Sequence, residues 1–320
     1  MIKYYKLKNM GIPNLNKLFM ERCGSHINKT HLSNYEGKTI VIDTSIYLYK
    51  FAGQDKLVEN FYLLVSILKH YNICPIFIFD GKPPSEKKEL LKKRKLNKKE
   101  AEEKYNAIKN DLNNPELSKQ DKQEMTIELE KLKKQFVRIN EEKIKTIKEL
   151  LTTYGVEYID ANGEADVLCA KMVLNNDAYA CLSDDMDLFL YGCPKVLRYL
   201  SILNHTIIEY DTNNILETLS LSKDEFMKII VLCGTDYNIK QNITIRRSLK
   251  LYKEYKKEAN IEYFEWLENK KIINTKENFI EIYELLINQL HTMNVDKRTS
   301  IPYCKNELIE FLKKYDFIFI

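Results

Sequence analysis

Seven acidic residues carry the chemistry that this sequence suggests, and four of them follow short apolar runs. These four are Asp43 after KTIVI, Asp80 after PIFIF, and Asp185 and Asp187 after AYACLS. Consecutive apolar residues are typical of strands covered on both faces of a parallel sheet, and such sheets bind ligands beyond the carboxyl ends of their strands. We therefore expect the four carboxylates at one sheet edge. Taken singly, each could be a helix N-cap or a turn residue.

The other three acidic residues stand at helix ends. Glu164 and Asp166 open the helix that follows VEYIDANG, where the helix dipole alone favours acidic residues. Residues two apart do not share a helix face, so both can point to one site only if Glu164 lies in the turn entering the helix. Asn162-Gly163 would provide that turn. Asp236, in LCGTDYN, follows an apolar helix and could be a plain loop residue.

A cluster of this many carboxylates requires cations to offset its charge. Oxygen ligands select hard cations, so we expect Mg²⁺, with Mn²⁺ as a substitute, rather than zinc. The five histidines show no zinc-ligand spacing. Two such ions about 4 Å apart would activate water and stabilise the leaving oxygen in phosphodiester hydrolysis.

The elements that must position these residues alternate between strands and helices, which predicts an α/β fold with a mostly parallel central sheet flanked by helices. The predicted strands are 38–42, 75–79, 156–159, 178–182, 195–200 and 206–210. Residues 82–148 break the alternation, because they are highly charged and almost continuously helical. That segment predicts either a solvated coiled-coil arm or a cap over an active site. After residue 212 the pattern is wholly helical.

The amino-acid composition narrows the class of protein further. With 320 residues, 44% hydrophobic and 30% charged, the chain is globular, and its net charge of +4 is too small to indicate nucleic-acid binding by itself. The seven cysteines form no CxxC pair, so we expect buried, reduced thiols. No apolar run approaches the ~18 residues of a membrane span. We expect a soluble, intracellular and monomeric protein.

Several motifs together resemble the flap endonuclease branch of the XPG-type 5′ nucleases, which have a PIN-like fold. They run colinearly from about residue 10 to about residue 316 and read MGIPNLNKLF, GKTIVIDTSIYLYKF, FIFDGKPPSEKKELLKKR, DANGEADVLCA, SDDMDLFLYG and LCGTDYN. The resemblance implies a nuclease core over 10–212 and a C-terminal DNA-binding region over 213–320 of helix–two-turn–helix type. It also implies that 82–148 is the helical arch through which a 5′ single strand passes.

The resemblance assigns the family's metal ligands to seven positions: Asp43, Asp80, Glu164, Asp166, Asp185, Asp187 and Asp236. Asp166 replaces the glutamate usual in flap endonucleases, which shortens one arm without changing its charge. Asp184 stands where the family usually has glutamate, and we do not expect it to be a ligand.

Three further residues match substrate-binding positions of the family. Lys87 and Arg94 match its two basic gateway residues, which implies that they bind the scissile phosphate; seven residues apart, they should lie two turns along one helix face. Otherwise they would be ordinary solvated cations. Tyr49 matches the aromatic on which a base stacks, although its helix is amphipathic and Tyr49 could instead be core.

The sequence departs from the family in places that bear on DNA contact. Asn242-Ile243-Thr244 replaces the Gly-x-Gly hairpin that grips duplex backbone and a monovalent ion, and Arg246 and Arg247 are the candidates to compensate. Leu64 stands where the family has an arginine, which is a further reason to expect altered DNA contacts. Family members begin at the equivalent of Met10, so the start is Met1 or Met10. No QxxLxxFF-like box follows the last helix, so we expect no sliding-clamp binding through that motif.

The resemblance implies structure-specific cleavage of DNA bearing a 5′ flap or a 5′ single-stranded end, in replication and repair, with Asp185 essential for catalysis. One rival is a 5′ exonuclease or junction resolvase of the same superfamily; the long arch and DGKPP weigh against it. Another is a non-catalytic nucleic-acid-binding scaffold, and the retention of all seven acidic positions weighs against that.

Overall fold

The computed structural model describes residues 11–112, 118–238, 243–258, 260–294 and 301–317. Within these ranges, seven strands form one sheet in the order β1-β7-β6-β5-β2-β3-β4. The strands are β1 (Ile27–His31), β2 (Thr39–Asp43), β3 (Cys74–Phe79), β4 (Glu157–Asp160), β5 (Ala180–Leu182), β6 (Lys195–Ser201) and β7 (Thr206–Asp211).

The centre of the sheet is parallel and buried. β2 pairs in parallel with β3 and with β5, and β5 pairs in parallel with β6. The antiparallel pairs β6–β7 and β1–β7 lie at one side. Ile40, Val41 and Ile42 are all buried, as are Ile76 to Phe79. Consecutive burial shows that both faces of β2 and β3 are covered, which explains the continuous apolar runs in their sequences.

Helices cover the sheet and dominate the second half of the chain. The helices are α1 (Leu15–Arg22), α2 (Thr44–Ala52), α3 (Leu57–His70), α4 (Lys88–Asp111), α5 (Lys119–Lys133), α6 (Glu141–Thr153), α7 (Ala165–Leu174), α8 (Asp187–Leu190), α9 (Thr212–Leu219), α10 (Lys223–Cys233), α11 (Ile245–Glu258), α12 (Tyr263–Asn269), α13 (Glu277–Thr292) and α14 (Lys305–Lys313).

All six predicted strands are present, with ends shifted by up to two residues. The sequence patterns did not predict β1, whose residues INKTH include no apolar run. In the described part of the chain β1 is an edge strand paired with β7, so little of it is buried and its pattern is correspondingly polar. The helical prediction for 82–148 is confirmed over α4, α5 and most of α6.

The chain divides into two compact units. The first comprises the described parts of Met1–Thr44, Ser66–Pro83 and Tyr158–Thr299 and holds nearly all of the sheet with α7 to α13. The second comprises those of Ser45–Val65, Pro84–Glu157 and Ser300–Ile320. In the second unit, α4 packs against α5 and α14 packs against α6. The expected boundary at residue 212 stays a prediction.

Five of the seven cysteines are buried, and all seven are free thiols. Burial raises the pKa of Cys169 to about 11 and that of Cys233 to about 12, so both remain protonated at neutral pH. This agrees with the expectation of reduced, buried thiols. Among the described helices, none is long and apolar enough to cross a membrane.

Candidate active site

Four acidic residues lie at the carboxyl ends of neighbouring parallel strands in the first unit. Asp43 is the last residue of β2 and is opposite Ile78 in β3. Asp80 comes directly after β3, and Asp185 and Asp187 follow β5. Because β2 pairs in parallel with both β3 and β5, these carboxylates share one edge of the sheet, as the strand positions predicted.

Ser183, which sequence reasoning did not single out, connects these strand ends. Its fully buried hydroxyl donates a hydrogen bond to Oδ2 of Asp43 at 2.9 Å. Oγ of Ser183 in turn accepts the Asp185 N–H at 3.1 Å, and Oδ1 of Asp185 accepts the Asp187 N–H at 3.0 Å. One run of hydrogen bonds therefore sets the positions of three candidate ligands. The only sequence signal was the place of Ser183 between a strand and the acidic run.

Gly11 lies against the same acidic turn. Its φ is +74°, a left-handed conformation that glycine adopts readily. A Cβ on Gly11 would stand 2.7 Å from Oδ1 of Asp185 and 2.7 Å from Oδ1 of Asp187. The two carboxylate oxygens thus converge on one point, and any side chain at position 11 would displace them. The sequence offers no signal for this role of Gly11 beyond its place in MGIPN.

Asp80, Glu164 and Asp166 meet at the start of α7. The Ala165 N–H donates to Oδ1 of Asp80 at 2.8 Å, so Asp80 satisfies one of the backbone donors that a helix start leaves unpaired. Glu164 is the N-cap residue, with extended backbone angles, and Asp166 lies in the first helical turn. Glu164 therefore precedes the helix proper, which is the arrangement that lets the two acids face one side.

Hydrogen bonds also tie the Asp236 loop to this cluster. Asn238 Oδ1 accepts from the Thr235 N–H at 2.6 Å and from its hydroxyl at 2.8 Å, and Asn238 Nδ2 donates to the Val231 carbonyl at 2.7 Å. The Tyr237 hydroxyl then donates to Oε2 of Glu164 at 2.6 Å. The sequence linked Asp236 to the site only through the family resemblance. The structure adds a direct contact, since Tyr237, the residue after Asp236, donates its hydrogen bond to Glu164.

Asp184 has a structural role in the acidic turn. Its Oδ1 accepts the Tyr199 N–H at 2.7 Å, and its carbonyl accepts from Nη2 of Arg198 at 2.6 Å. Arg198 is only 4% exposed and also donates to Oδ1 of Asn16 at 3.1 Å. The side chain of Asp184 is therefore engaged with β6, in keeping with its exclusion from the ligand set.

The acidic residues of the candidate site create a negative electrostatic field around them. The pKa of Tyr191 is raised well above its ordinary range, first by burial and then by the charges around it, of which Asp166 contributes most. Burial also raises the pKa of Cys181, with Asp43 and Asp166 adding to the shift. These shifts place two buried groups within the field of the carboxylates, which is the field that would attract a cation.

The donor set fits a hard divalent cation in its chemistry, because every candidate ligand is a carboxylate. Among the residues that the structure describes, no three His, Cys, Asp or Glu side chains are close enough to hold one ion in common. Mg²⁺ usually keeps several of its waters, so the surrounding carboxylates can act on it through those waters without all lying within direct bonding distance.

Two family models match the chain: the XPG N-terminal domain over residues 10–101 and the XPG I-region over residues 155–236. The flap endonuclease 1 of Drosophila mojavensis is 30% identical over 330 aligned positions, which cover 95% of this chain and 80% of that protein. The chain belongs to the flap endonuclease family of XPG-type nucleases. It spans 66% of the Drosophila yakuba relative and 62% of an Oryza sativa one.

Solved structures confirm the fold class. Flap endonuclease-1 from Methanococcus jannaschii superposes with a TM-score of 0.62 at 23% identity, covering 93% of both chains. The catalytic core of Rad2 in complex with DNA substrate gives 0.63 at 21% identity, covering 92% of both. The mostly parallel sheet flanked by helices is thus the fold of flap endonucleases and their relatives.

The three substrate-binding candidates that match the family lie in the second unit. Lys87 ends a short 3₁₀ turn and serves as the N-cap of α4, so it precedes the helix that carries Arg94. Lys87 is 5% exposed, so the interpretation as a solvated cation is wrong for it; Arg94 is exposed. Tyr49 on α2 is 45% exposed, which excludes a core role, and Lys98 Nζ lies 4.6 Å from its ring centre.

Some of the positions at which this sequence differs from the family's duplex-binding hairpin lie within the described residues. Asn242 lies outside the described residues, as do Met1 and Met10, whereas Ile243 and Thr244 directly precede α11. Arg246 and Arg247 occupy the first turn of α11 and are exposed, and Arg246 forms an ion pair with Glu21 of α1. Leu64 is fully buried in α3, so it belongs to the hydrophobic core.

Proposed function

We propose that this protein is a divalent-metal-dependent nuclease that hydrolyses DNA phosphodiesters at a 5′ flap or a 5′ single-stranded end, in replication and repair. Its membership of the flap endonuclease family supports the reaction class. The observation that carries the proposal is the run of hydrogen bonds from Asp43 through Ser183 to Asp185 and Asp187. It holds carboxylates of two parallel strands at one edge, where a cation-dependent site would form.

The carboxylates are the proposed ligands of two Mg²⁺ ions, for which Mn²⁺ should substitute. The ligand set is Asp43, Asp80, Glu164, Asp166, Asp185, Asp187 and Asp236. When bound, ions of this kind supply Lewis acidity for the attack of water and for the departure of the leaving oxygen. Hydrolysis forms a bond from the water oxygen to phosphorus and breaks the bond to the 3′ oxygen, leaving a 5′-phosphate and a 3′-hydroxyl.

Basic and aromatic residues of the second unit have proposed roles on the substrate. Lys87 and Arg94 bind the scissile phosphate and offset charge that develops in the transition state. The exposed ring of Tyr49 stacks against a nucleobase, which is worth roughly 1–3 kcal/mol per base in comparable sites. Residues 82–99 of the arch carry nine basic side chains against two glutamates, so arch binding should weaken steeply with salt.

Duplex binding is proposed for the C-terminal helical region of the chain, over 213–320. α10 and α11 are packed against each other, and Arg246 and Arg247 at the start of α11 are the proposed phosphate ligands. The replacement of the family's two hairpin glycines means that backbone groups approach the phosphate less closely here. Side chains should therefore carry more of the duplex affinity than they do in other members.

A cleavage assay tests the proposal directly. The substrates are labelled DNAs of equal length, one with a 5′ flap, one with a blunt duplex end and one with a four-way junction. We expect cleavage of the flap in Mg²⁺, none in EDTA, and loss of at least a hundredfold in rate for Asp185→Ala. Preference for the duplex end or the junction would favour the exonuclease or resolvase alternative. If the protein binds the DNAs but cleaves none of them in the presence of metal, the result would favour the non-catalytic scaffold.

A further inference from the structure

A run of three hydrogen bonds connects Tyr191, which follows α8, through Gln289 on α13 to Glu164. The Tyr191 hydroxyl donates to Oε1 of Gln289 at 3.2 Å, and Nε2 of Gln289 donates to the Tyr237 oxygen at 2.9 Å. The Tyr237 hydroxyl donates to Oε2 of Glu164 at 2.6 Å. None of the motifs that place this chain in its family includes Gln289, which lies on α13.

The direction of the run follows from the chemistry of its members. The Tyr237 oxygen also lies 3.2 Å from Oε1 of Gln289, but the tyrosine has a single hydrogen to give. An ionised carboxylate at 2.6 Å is a stronger acceptor than an amide oxygen at 3.2 Å, so that hydrogen points to Glu164. The Gln289 amide is then the donor to Tyr237, and its oxygen is left to accept from Tyr191.

Packing fixes Gln289 relative to the acidic residues. α13 contacts both α7, whose N-cap is Glu164, and α10, which leads into the Asp236 loop. Nζ of Lys171 on α7 donates to the His291 carbonyl near the end of α13 at 3.0 Å. Gln289 is therefore held between the two elements that carry Glu164 and Asp236.

We propose that Tyr237 and Gln289 are positioning residues that orient the Glu164 carboxylate for a divalent ion. The Tyr237 hydroxyl occupies Oε2 and so sets the direction in which Oε1 faces. Gln289 acts through Tyr237, because it makes the phenol oxygen accept and leaves the phenol hydrogen for Glu164. This role deepens the proposed metal-dependent function and rests on it. Groups that orient metal ligands commonly change metal affinity or activity by 10–100-fold when removed.

The test measures Mn²⁺ binding by calorimetry in the absence of DNA, together with flap cleavage. We expect Tyr237→Phe to weaken Mn²⁺ binding roughly tenfold and Gln289→Met to weaken it severalfold. The double variant should bind no more weakly than Tyr237→Phe alone, because Gln289 acts through the hydroxyl that is already gone. Tyr283→Phe, which removes another hydroxyl of α13, bonded to Asp224, is the matched control and should bind Mn²⁺ as the wild type does.

The outcomes separate this inference from the proposed function. Additive losses in the double variant, or an equal loss in Tyr283→Phe, would mean that Gln289 acts only through the packing of α13. Unchanged Mn²⁺ binding in Tyr237→Phe overturns the inference even if the wild type cleaves flaps. Weakened Mn²⁺ binding without any cleavage by the wild type leaves the positioning role standing and removes the nuclease function. A wild type that binds no Mn²⁺ overturns both.

Discussion

The Ser183 hydroxyl lies 2.9 Å from Oδ2 of Asp43, across 140 residues of sequence. β2 ends at Asp43 and β5 ends at Leu182, and the two strands pair in parallel, so this hydrogen bond joins adjacent carboxyl ends of the sheet. Because Ser183 Oγ also accepts the Asp185 N–H, one hydroxyl group links the carboxylate at the end of β2 to the acidic turn after β5. The precision of the candidate site therefore depends on a residue that is not itself a ligand.

Removing that hydroxyl should impair both stability and metal use. Ser183→Ala takes a hydrogen bond from the 6%-exposed Asp43 carboxylate, which should cost about 1–3 kcal/mol of unfolding free energy. The Mg²⁺ concentration for half-maximal cleavage should rise roughly tenfold. Thermal unfolding in EDTA and a Mg²⁺ titration of flap cleavage measure the two effects.

Ser183→Thr separates positioning from packing in the same assay. It keeps the hydroxyl and adds a methyl group at a fully buried position, so it should lower the melting temperature while leaving the Mg²⁺ requirement near that of the wild type. Should Ser183→Ala keep a wild-type Mg²⁺ requirement, Asp43 would be positioned without Ser183.

Gly11→Ala should disable the site while leaving the fold intact. The new Cβ would stand 2.7 Å from an oxygen of Asp185 and from an oxygen of Asp187, so both carboxylates must shift. A misplacement of about 1 Å can cost about a hundredfold in rate. The left-handed backbone adds about 1–2 kcal/mol of strain. Single-turnover cleavage and thermal unfolding measure these effects.

Gly24→Ala is the matched control for Gly11. Among the described residues, no atom outside its chain neighbours lies within 4 Å of a Cβ built there, and the backbone of Gly24 is not left-handed. Its cleavage rate should equal that of the wild type. A Gly11→Ala variant as active as Gly24→Ala would show that the acidic turn tolerates the displacement.

The thiols should differ sharply in reactivity at pH 8. Thiolate is the reactive form, and burial raises the pKa of Cys169 and Cys233 above that pH, which keeps both largely protonated. Cys74 is exposed and should be alkylated first by iodoacetamide. Mass spectrometry at timed intervals resolves the sites, and guanidinium chloride should expose the buried set. Modification of Cys169 as fast as Cys74 in the native protein would contradict the structure.

Local sequence pattern was enough to predict β2 to β7 and the acidic residues at the ends of β2, β3 and β5. Consecutive apolar residues before Asp43 and Asp80 mark strands buried on both faces, and the parallel arrangement then places the acids together. Asn162-Gly163 likewise marked the turn that makes Glu164 an N-cap. The strand β1 was not predicted, because an apolar sequence pattern arises from burial and β1 is little buried at that side of the sheet.

The supporting hydrogen bonds could not be predicted, because they join residues far apart in the chain. Tyr237 reaches Glu164 across 73 residues and Gln289 reaches Tyr237 across 52. No local periodicity encodes such contacts. The burial of Lys87 and the exposure of Tyr49 also depend on which neighbouring elements pack against them, so the sequence alone left both with two interpretations.

The ion pair between Glu21 and Arg246 yields a prediction about duplex binding. Arg246 begins α11, and its guanidinium is engaged with the carboxylate of Glu21 on α1. Glu21→Gln removes the competing charge, so affinity for duplex DNA should rise about two- to threefold if Arg246 binds phosphate. Arg246→Gln and Arg247→Gln should each weaken binding and reduce its dependence on salt. The checks are fluorescence-anisotropy titrations of a blunt duplex at several salt concentrations.

Lys250→Gln provides the control, since Lys250 is an exposed cation farther along α11 that pairs with Glu254. It should change duplex affinity less than Arg246→Gln does, because the proposed contact depends on position at the start of the helix rather than on net charge. The double variant Glu21→Gln/Arg246→Gln should bind like Arg246→Gln alone. Equal losses for Lys250 and Arg246 would indicate diffuse charge attraction, and a gain from Glu21→Gln that persists without Arg246 would exclude the ion pair as its cause.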